Sequence, residues 1–182
     1  MRLLRFTPIM LLTSHAFLGG CSSHTSEPGA AQSYQPLVTL DGWSSVSRLD
    51  DPFVSDGEVP ADCVGPGFRL EQDSGWLEID TGLCNWVTLS GMALHPVEVG
   101  QMLELDVSHY DLNAAEPSAA ELRLTFESCA AWSKTIPIPS AAAVYSERFP
   151  SPCAPGDQGN VLFHLHNHGQ NTYQLRSLSV LR

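Results

Sequence analysis

Basic residues are the scarcest chemical class in this chain of 182 residues. It has 9 Lys and Arg residues against 20 Asp and Glu residues, and its formal net charge is −11. A surface of this sign repels the phosphate backbones of DNA and RNA. The composition therefore argues against a nucleic-acid partner.

The chain also lacks a hydrophobic run long enough to span a membrane as a helix. Such a helix needs roughly 20 predominantly apolar residues in a row, and no stretch approaches that length. Hydrophobic residues nevertheless make up 43% of the chain, which is enough to build a core. The length suits one domain with tails.

Several catalytic signatures are missing. The sequence has no Gly-x-Ser-x-Gly nucleophile elbow, no glycine-rich phosphate loop and no Cys-x-x-Cys pair. Its acidic residues are numerous enough for the two carboxylates of a glycosidase, but the sequence places no pair across a cleft. We therefore expect a protein without enzymatic activity.

The beginning of the chain has the order of an export signal. Two arginines, Arg2 and Arg5, precede a largely apolar run, and two small residues, Gly19 and Gly20, follow it. A basic start, an apolar centre and small residues before the cleavage point are the features of a signal peptide. Removal of this segment would leave 7 basic against 20 acidic residues, a net charge of −13.

The end of this segment resembles the lipobox of bacterial lipoproteins, in the run Leu18-Gly19-Gly20-Cys21. The resemblance implies that the signal, residues 1–20, is cut off and that Cys21 is acylated. Stable anchoring in a bilayer needs more than one lipid chain, which such a cysteine carries. The serines that follow Cys21 are similar to outer-membrane retention patterns, so we expect a lipid-anchored protein of the bacterial cell envelope, in the outer membrane.

A flexible tether is predicted after the anchor. Residues 21–35 are rich in Ser, Thr, Gly, Ala, Pro and Gln, and Tyr34 is their one large side chain. The folded domain is then expected over residues 36–182.

The cysteine count supports this assignment. Of five cysteines, Cys21 is set aside for lipid, and an even number remains: Cys63, Cys84, Cys129 and Cys153. Four cysteines in an exported protein favour two disulfides, for which three pairings exist. We favour Cys63–Cys84 and Cys129–Cys153, because each couples neighbours across a short strand-turn unit. Each would stabilise the fold by about 3 kcal/mol in the chain-entropy model.

From residue 67 onward the pattern predicts strands almost exclusively. Short segments alternate apolar and polar residues and are separated by turn residues, at 68–70, 76–80, 85–90, 102–107, 121–126, 144–149 and 172–181. Residues 36–40 form a further candidate strand, and 135–139 carries two prolines, which suits an edge strand or an extended loop. Only residues 114–120 favour a helix, and Pro117 limits it to a turn or two. About nine strands predict an all-β fold, an antiparallel β-sandwich.

Two stretches resemble galactose-binding-like jelly rolls, a class that includes many carbohydrate-binding modules. They are residues 97–107, which look like a central strand, and 159–175, which look like the last two strands. The resemblance implies a jelly-roll sandwich and favours ligand binding over catalysis.

The histidine-rich stretch near the end suggests a site. Val161, Phe163 and Leu165 alternate with His164 and His166, so the histidines share the outer face of a predicted strand. We interpret this strand and the next as a closing β-hairpin. Two imidazoles on one face can bind zinc or copper, with a third ligand from His109, Asp106 or Glu104. The alternative is a polar outer face with both rings half-exposed. His168 is expected to fall in the turn.

Two further groups are candidate sites. The loop between 49 and 63 clusters the carboxylates Asp50, Asp51, Asp56, Glu58 and Asp62, which suits calcium. Their spacing matches no EF-hand loop, so we favour an acidic surface loop. Of the tryptophans, Trp76 shares a predicted solvated face with Glu78 and Asp80 and could stack on a sugar. Trp86, beside Cys84, is expected to pack on a disulfide in the core.

The leading hypothesis is therefore a membrane-anchored envelope lipoprotein with a non-catalytic binding or adhesion domain for a glycan or an envelope protein. Trp76, His164 and His166 are its candidate ligand-binding residues. A zinc or copper protein and a purely structural lipoprotein are the alternatives.

Overall fold

The structure is a computed structural model that describes residues 32–54, 65–154, 159–167 and 169–182. The predicted signal, lipobox and most of the tether lie outside these residues, as do Cys63, Asp56, Glu58, Asp62 and His168. No helix in the described ranges is long and apolar enough to cross a membrane.

The described residues form a two-layer all-β sandwich with eleven strands. These are β1 (Tyr34–Pro36), β2 (Trp43–Ser45), β3 (Phe68–Leu70), β4 (Leu77–Asp80), β5 (Trp86–Met92), β6 (Met102–His109), β7 (Ser118–Phe126), β8 (Cys129–Ile138), β9 (Ala143–Pro150), β10 (Asn160–His166) and β11 (Thr172–Leu181). A single 3-10 turn, Leu40–Gly42, lies between β1 and β2.

Two antiparallel sheets make up the layers. Sheet A has the order β3-β4-β11-β6-β9, with β1 also paired to β11. Sheet B has the order β2-β5-β10-β7-β8. From β4 onward the chain crosses between the sheets at nearly every connection, only β7 and β8 being neighbours in one sheet. This is the predicted antiparallel sandwich of jelly-roll type.

The core lies between the inner faces of the sheets, and strict alternation fills it. On β10 the side chains of Val161, Phe163 and Leu165 are fully buried, as predicted. Leu103, Leu105 and other apolar residues of sheet A face them. At Gly91 a Cβ atom would lie 2.5 Å from a Val38 methyl group, so glycine lets the segment after β1 pack closely on β5.

The predicted closing hairpin is wrong. β10 belongs to sheet B and β11 to sheet A, and the turn between them crosses the end of the sandwich. Buried polar side chains hold this crossing: Asn167 donates to Thr81 Oγ1 at 2.8 Å and accepts from Tyr173 Oη at 3.0 Å. Because these partners lie on other strands, the local sequence does not distinguish the crossing from a hairpin.

Other differences concern the ends of elements. The first strand ends at Pro36, and Leu37 and Val38 are buried after it rather than forming the strand predicted over 36–40. β1 also begins at Tyr34, two residues before the predicted start of the domain. The helix-favouring stretch contains no helix, and β7 begins within it at Ser118. The proline-containing strand β8 lies at an edge, as predicted.

The structure describes one disulfide in full, the predicted Cys129–Cys153 bond, with an S–S distance of 2.02 Å. Cys84 is disulfide-bonded as well. Its predicted partner, Cys63, lies outside the described residues, so that pairing stays a prediction.

Candidate functional site

The outer face of sheet B carries the predicted histidines. β10 lies between β5 and β7, and His164 is aligned with Thr88 on one side and Arg123 on the other. His166 is aligned with Trp86 in the same way. The two histidines therefore share one face, as the alternation indicated.

A loop covers the part of this face around His164. After β2 the chain turns back over the sheet, and the Phe53 ring stacks on His164 with 4.2 Å between ring centroids. The guanidinium of Arg123 lies 5.6 Å from the centre of the same Phe53 ring. His164 is consequently only 2% exposed, so the expectation of a half-exposed ring is wrong for this residue.

One carboxylate fastens the loop to the sheet. Asp51 Oδ2 accepts hydrogen bonds from Trp86 Nε1 at 3.0 Å and from Thr88 Oγ1 at 2.7 Å. Its other oxygen accepts from the backbone N–H of Phe53 at 2.9 Å. Charge-assisted bonds of this kind are stronger than neutral ones.

The same contacts decide the tautomer of His164. Thr88 has one hydroxyl hydrogen, and Asp51 receives it, so the 2.8 Å contact between Thr88 Oγ1 and His164 Nδ1 requires the imidazole N–H as donor. Burial lowers the pKa of His164 from 6.5 to about 3. Asp51 opposes this lowering of the pKa, and the charges of Arg123 and His166 contribute to it, so the ring is neutral at physiological pH.

The structure does not bring the proposed metal ligands together. His109, Asp106 and Glu104 lie on β6 in sheet A, whereas His164 and His166 lie on β10 in sheet B. Within the described ranges no group of three His, Cys, Asp or Glu side chains is arranged to hold a metal ion. Asp51, from the acidic loop, instead accepts the bonds that hold the loop.

Asp51, Thr88 and His164 also differ from a catalytic triad. In a triad the imidazole lies between the carboxylate and the hydroxyl and removes the hydroxyl proton. Here the hydroxyl lies between the other two groups and donates to the carboxylate. This arrangement fixes a loop and provides no activated nucleophile.

Beside the part of sheet B that the loop covers, an open groove of about 700 Å³ lies on the outer face of the sheet. Strand residues form its floor, and Ser90 Oγ donates to Asn160 Oδ1 across β5 and β10 at 2.7 Å. The loop forms one wall. The lining residues are Ser45, Val46, Ser47, Asp50, Pro52, Ser90, Glu127, Ser128, Asn160 and Leu162.

Of these groove residues, sequence reasoning singled out Asp50 alone, as a calcium candidate. The floor residues belong to strands that are 70 positions apart in sequence, as Ser90 and Asn160 are. Only the order of strands in the sheet brings them together. A partial signal was present in the alternation of β10, which puts Asn160 and Leu162 on the same side as His164.

Trp76 lies elsewhere. It directly precedes β4 in sheet A and is half-buried, with the guanidinium of Arg176 4.2 Å from its ring centre. Trp76 and the two histidines are therefore on opposite sheets and do not form one site.

The other tryptophans are largely buried. Trp86 is buried, but not in the core as expected: its ring contacts His164 and His166 on the outer face of sheet B, under the loop. The hydrogen bond that its indole N–H donates to Asp51 in the loop accounts for this placement. Trp43 belongs to the core, and Trp132 packs against it.

Comparison with known proteins gives structural neighbours alone. No protein-family model matches the chain, and no curated protein matches it. One similar structure is a carbohydrate-binding module, TmCBM27, studied for mannan recognition. The two sequences are 11% identical, the match covers 84% of this chain and 99% of the module, and the TM-score is 0.49. Another is the N-terminal cellulose-binding domain of a Cellulomonas fimi β-1,4-glucanase, with 13% identity, 67% and 97% covered, and a TM-score of 0.39.

A third neighbour is a much larger enzyme. The chain resembles part of an α-L-arabinofuranosidase with 12% identity and a TM-score of 0.45, covering 82% of this chain and 25% of the enzyme. At these identities and TM-scores, the similarities concern the all-β fold alone.

Proposed function

We propose that this protein is a non-catalytic glycan-binding lipoprotein of the bacterial cell envelope, anchored in the outer membrane through acylated Cys21. Its ligand site is the groove on the outer face of sheet B. The observation that carries the proposal is this groove, about 700 Å³ in volume, with polar groups on rigid strands at its floor.

The chemistry of the lining suits a saccharide. Sugar hydroxyls both donate and accept hydrogen bonds, and the amide of Asn160 and the hydroxyl of Ser90 do the same. The exposed apolar side chain of Pro52 offers contact area for the C–H face of a sugar ring. Because the floor residues are on paired strands, little side-chain freedom is lost when a ligand binds.

A glycan array tests the proposal, followed by calorimetry with the best glycan. The purified full-length chain is expected to bind at least one envelope or extracellular glycan. The double variant Ser90→Ala/Asn160→Ala removes both polar floor groups and should weaken binding roughly tenfold. Ser146→Ala, an exposed serine on strand β9 of sheet A, is the matched control and should bind as the wild type does.

Absence of binding to every glycan on the array would contradict the proposal and leave the purely structural lipoprotein as the better interpretation. Equal affinity of the double variant and the wild type would show that the groove is not the site. Calorimetry with zinc and copper, on the wild type and on His164→Ala/His166→Ala, tests the metal alternative. Equal heats from the two proteins would end it.

A further inference from the structure

Arg176 is an unusual cation in this acidic protein. Arg69, Arg123, Lys134 and Arg148 each form an ion pair with a carboxylate. Within the described ranges Arg176 has neither an ion pair nor a hydrogen bond, and its contact is with the Trp76 ring. Its positive charge is therefore available to a ligand.

Two features fix the position of this guanidinium. The pairing of β11 with β6 shifts register between Leu175 and Ser177, so Arg176 is the extra residue of a bulge. A bulge redirects a side chain, and such bulges are common beside functional sites. The indole of Trp76, 4.2 Å away, then holds the guanidinium by a cation–π contact.

Arg176 also lines a pocket of about 270 Å³, which the segment after β1 forms with β11. Its hydroxyl groups come from Thr39, Ser177 and Ser179. Ser177 already donates to Asp106 Oδ2 at 2.8 Å, whereas the hydroxyls of Thr39 and Ser179 have no hydrogen-bond partner among the described residues. The apolar side chains of Leu40 and Pro36 also line the pocket. This combination suits a small polar ligand that carries one negative charge.

We infer that the pocket beside Arg176 and Trp76 binds the carboxylate of an acidic saccharide, a uronic acid residue. The planar guanidinium matches the two oxygens of a carboxylate, which it holds through two parallel hydrogen bonds. The hydroxyls of Thr39 and Ser179 would then bond to hydroxyls of the sugar. Asp106 lies on the neighbouring strand and disfavours ligands with higher negative charge, such as phosphate.

Calorimetric titration of the full-length chain with a trigalacturonate tests the inference, and its methyl ester is the uncharged matched ligand. The free acid should bind saturably, and its affinity should fall as the salt concentration is raised. The ester should bind at least about tenfold more weakly than the free acid. The Arg176→Gln variant should bind the free acid more weakly than the wild type by about the same factor. Arg182→Gln, which removes an exposed arginine that bonds only a backbone carbonyl, should leave the affinity unchanged.

Trp76 supplies a second readout. Ligand binding should change the tryptophan fluorescence of the wild type, and the change should be lost in Trp76→Phe. Failure of trigalacturonate to bind, or equal binding by Arg176→Gln and the wild type, would overturn the inference. Equal affinity for acetate would overturn its saccharide part.

This site is independent of the groove on sheet B. Ser90→Ala/Asn160→Ala should bind trigalacturonate as the wild type does. The two proposals can therefore fail separately.

Discussion

His164 is kept neutral at the surface of a sheet because Phe53 and the fastened loop remove it from water. A histidine whose pKa is lower in the folded than in the unfolded state makes stability depend on pH. The unfolded chain binds a proton near the ordinary pKa of 6.5, whereas the folded chain resists it until about 3. The contribution of His164 to the free energy of unfolding is therefore fully present above pH 6.5 and is lost as the pH falls towards 3.

The first prediction follows from this difference. Between pH 7.5 and pH 5, His164 alone should lower the free energy of unfolding by about 2 kcal/mol. Urea unfolding at both pH values measures it. His164→Gln, which retains an amide donor for Thr88, should be less stable at pH 7.5 but should lose about 2 kcal/mol less on acidification.

An unchanged pH difference in His164→Gln would contradict the burial of a neutral ring.

The loop between β2 and β3 is the element that shapes the candidate groove. Through Asp51 it is held on the sheet by two hydrogen bonds, from Trp86 and Thr88, and a third bond, from the Phe53 N–H, lies within the loop. The Phe53 ring adds a stacking contact with His164. The same loop provides a wall of the groove with Asp50 and Pro52. The described part of the acidic segment, up to residue 54, therefore covers His164 and borders the groove.

The second prediction concerns this loop. Asp51→Ala leaves the Trp86 N–H and the Thr88 hydroxyl without their acceptor and should reduce stability by about 2–3 kcal/mol. Chemical denaturation measures the loss, and hydrogen exchange should show faster exchange in the loop. Asp50→Ala, at the exposed neighbour that accepts a bond from Ser47, should change stability by less than about 0.5 kcal/mol. Similar effects of the two variants would contradict the role given to Asp51.

At the scale of elements, alternation predicted most strands well. The last strand was predicted with its observed ends, and its alternation of polar and apolar residues is interrupted by the bulge at Arg176. The failures involve contacts distant in sequence. β2 was missed because three residues give no periodic signal, and it is a strand because Trp43 and Ser45 pair with β5.

For the whole molecule, the lipid anchor that we propose would tether the sandwich to a bilayer through a segment whose sequence is mostly small and polar. The strong negative charge of the chain suits solubility at the membrane and weakly constrains the ligand. A ligand bound at either face would thereby be held close to the membrane surface.

The third prediction tests the anchor. Full-length wild-type protein should separate with the membrane fraction, and Cys21→Ser should be released because the acylated thiol is lost. Immunoblotting of both fractions measures the partition. Ser23→Ala, two residues further on, should stay with the membranes. Retention of Cys21→Ser in the membrane fraction would contradict the lipoprotein assignment.

The sequence by itself determined the all-β class and the inner face of Val161, Phe163 and Leu165, and it favoured the Cys129–Cys153 pairing among three. Each of these depends on a local period of two or on cysteines a short distance apart. Only the tertiary structure decided that β10 and β11 belong to different sheets, that Phe53 covers His164 and that Arg176 lies over Trp76. These depend on which distant strands become neighbours, and a two-residue period says which face a side chain takes but not what lies across from it.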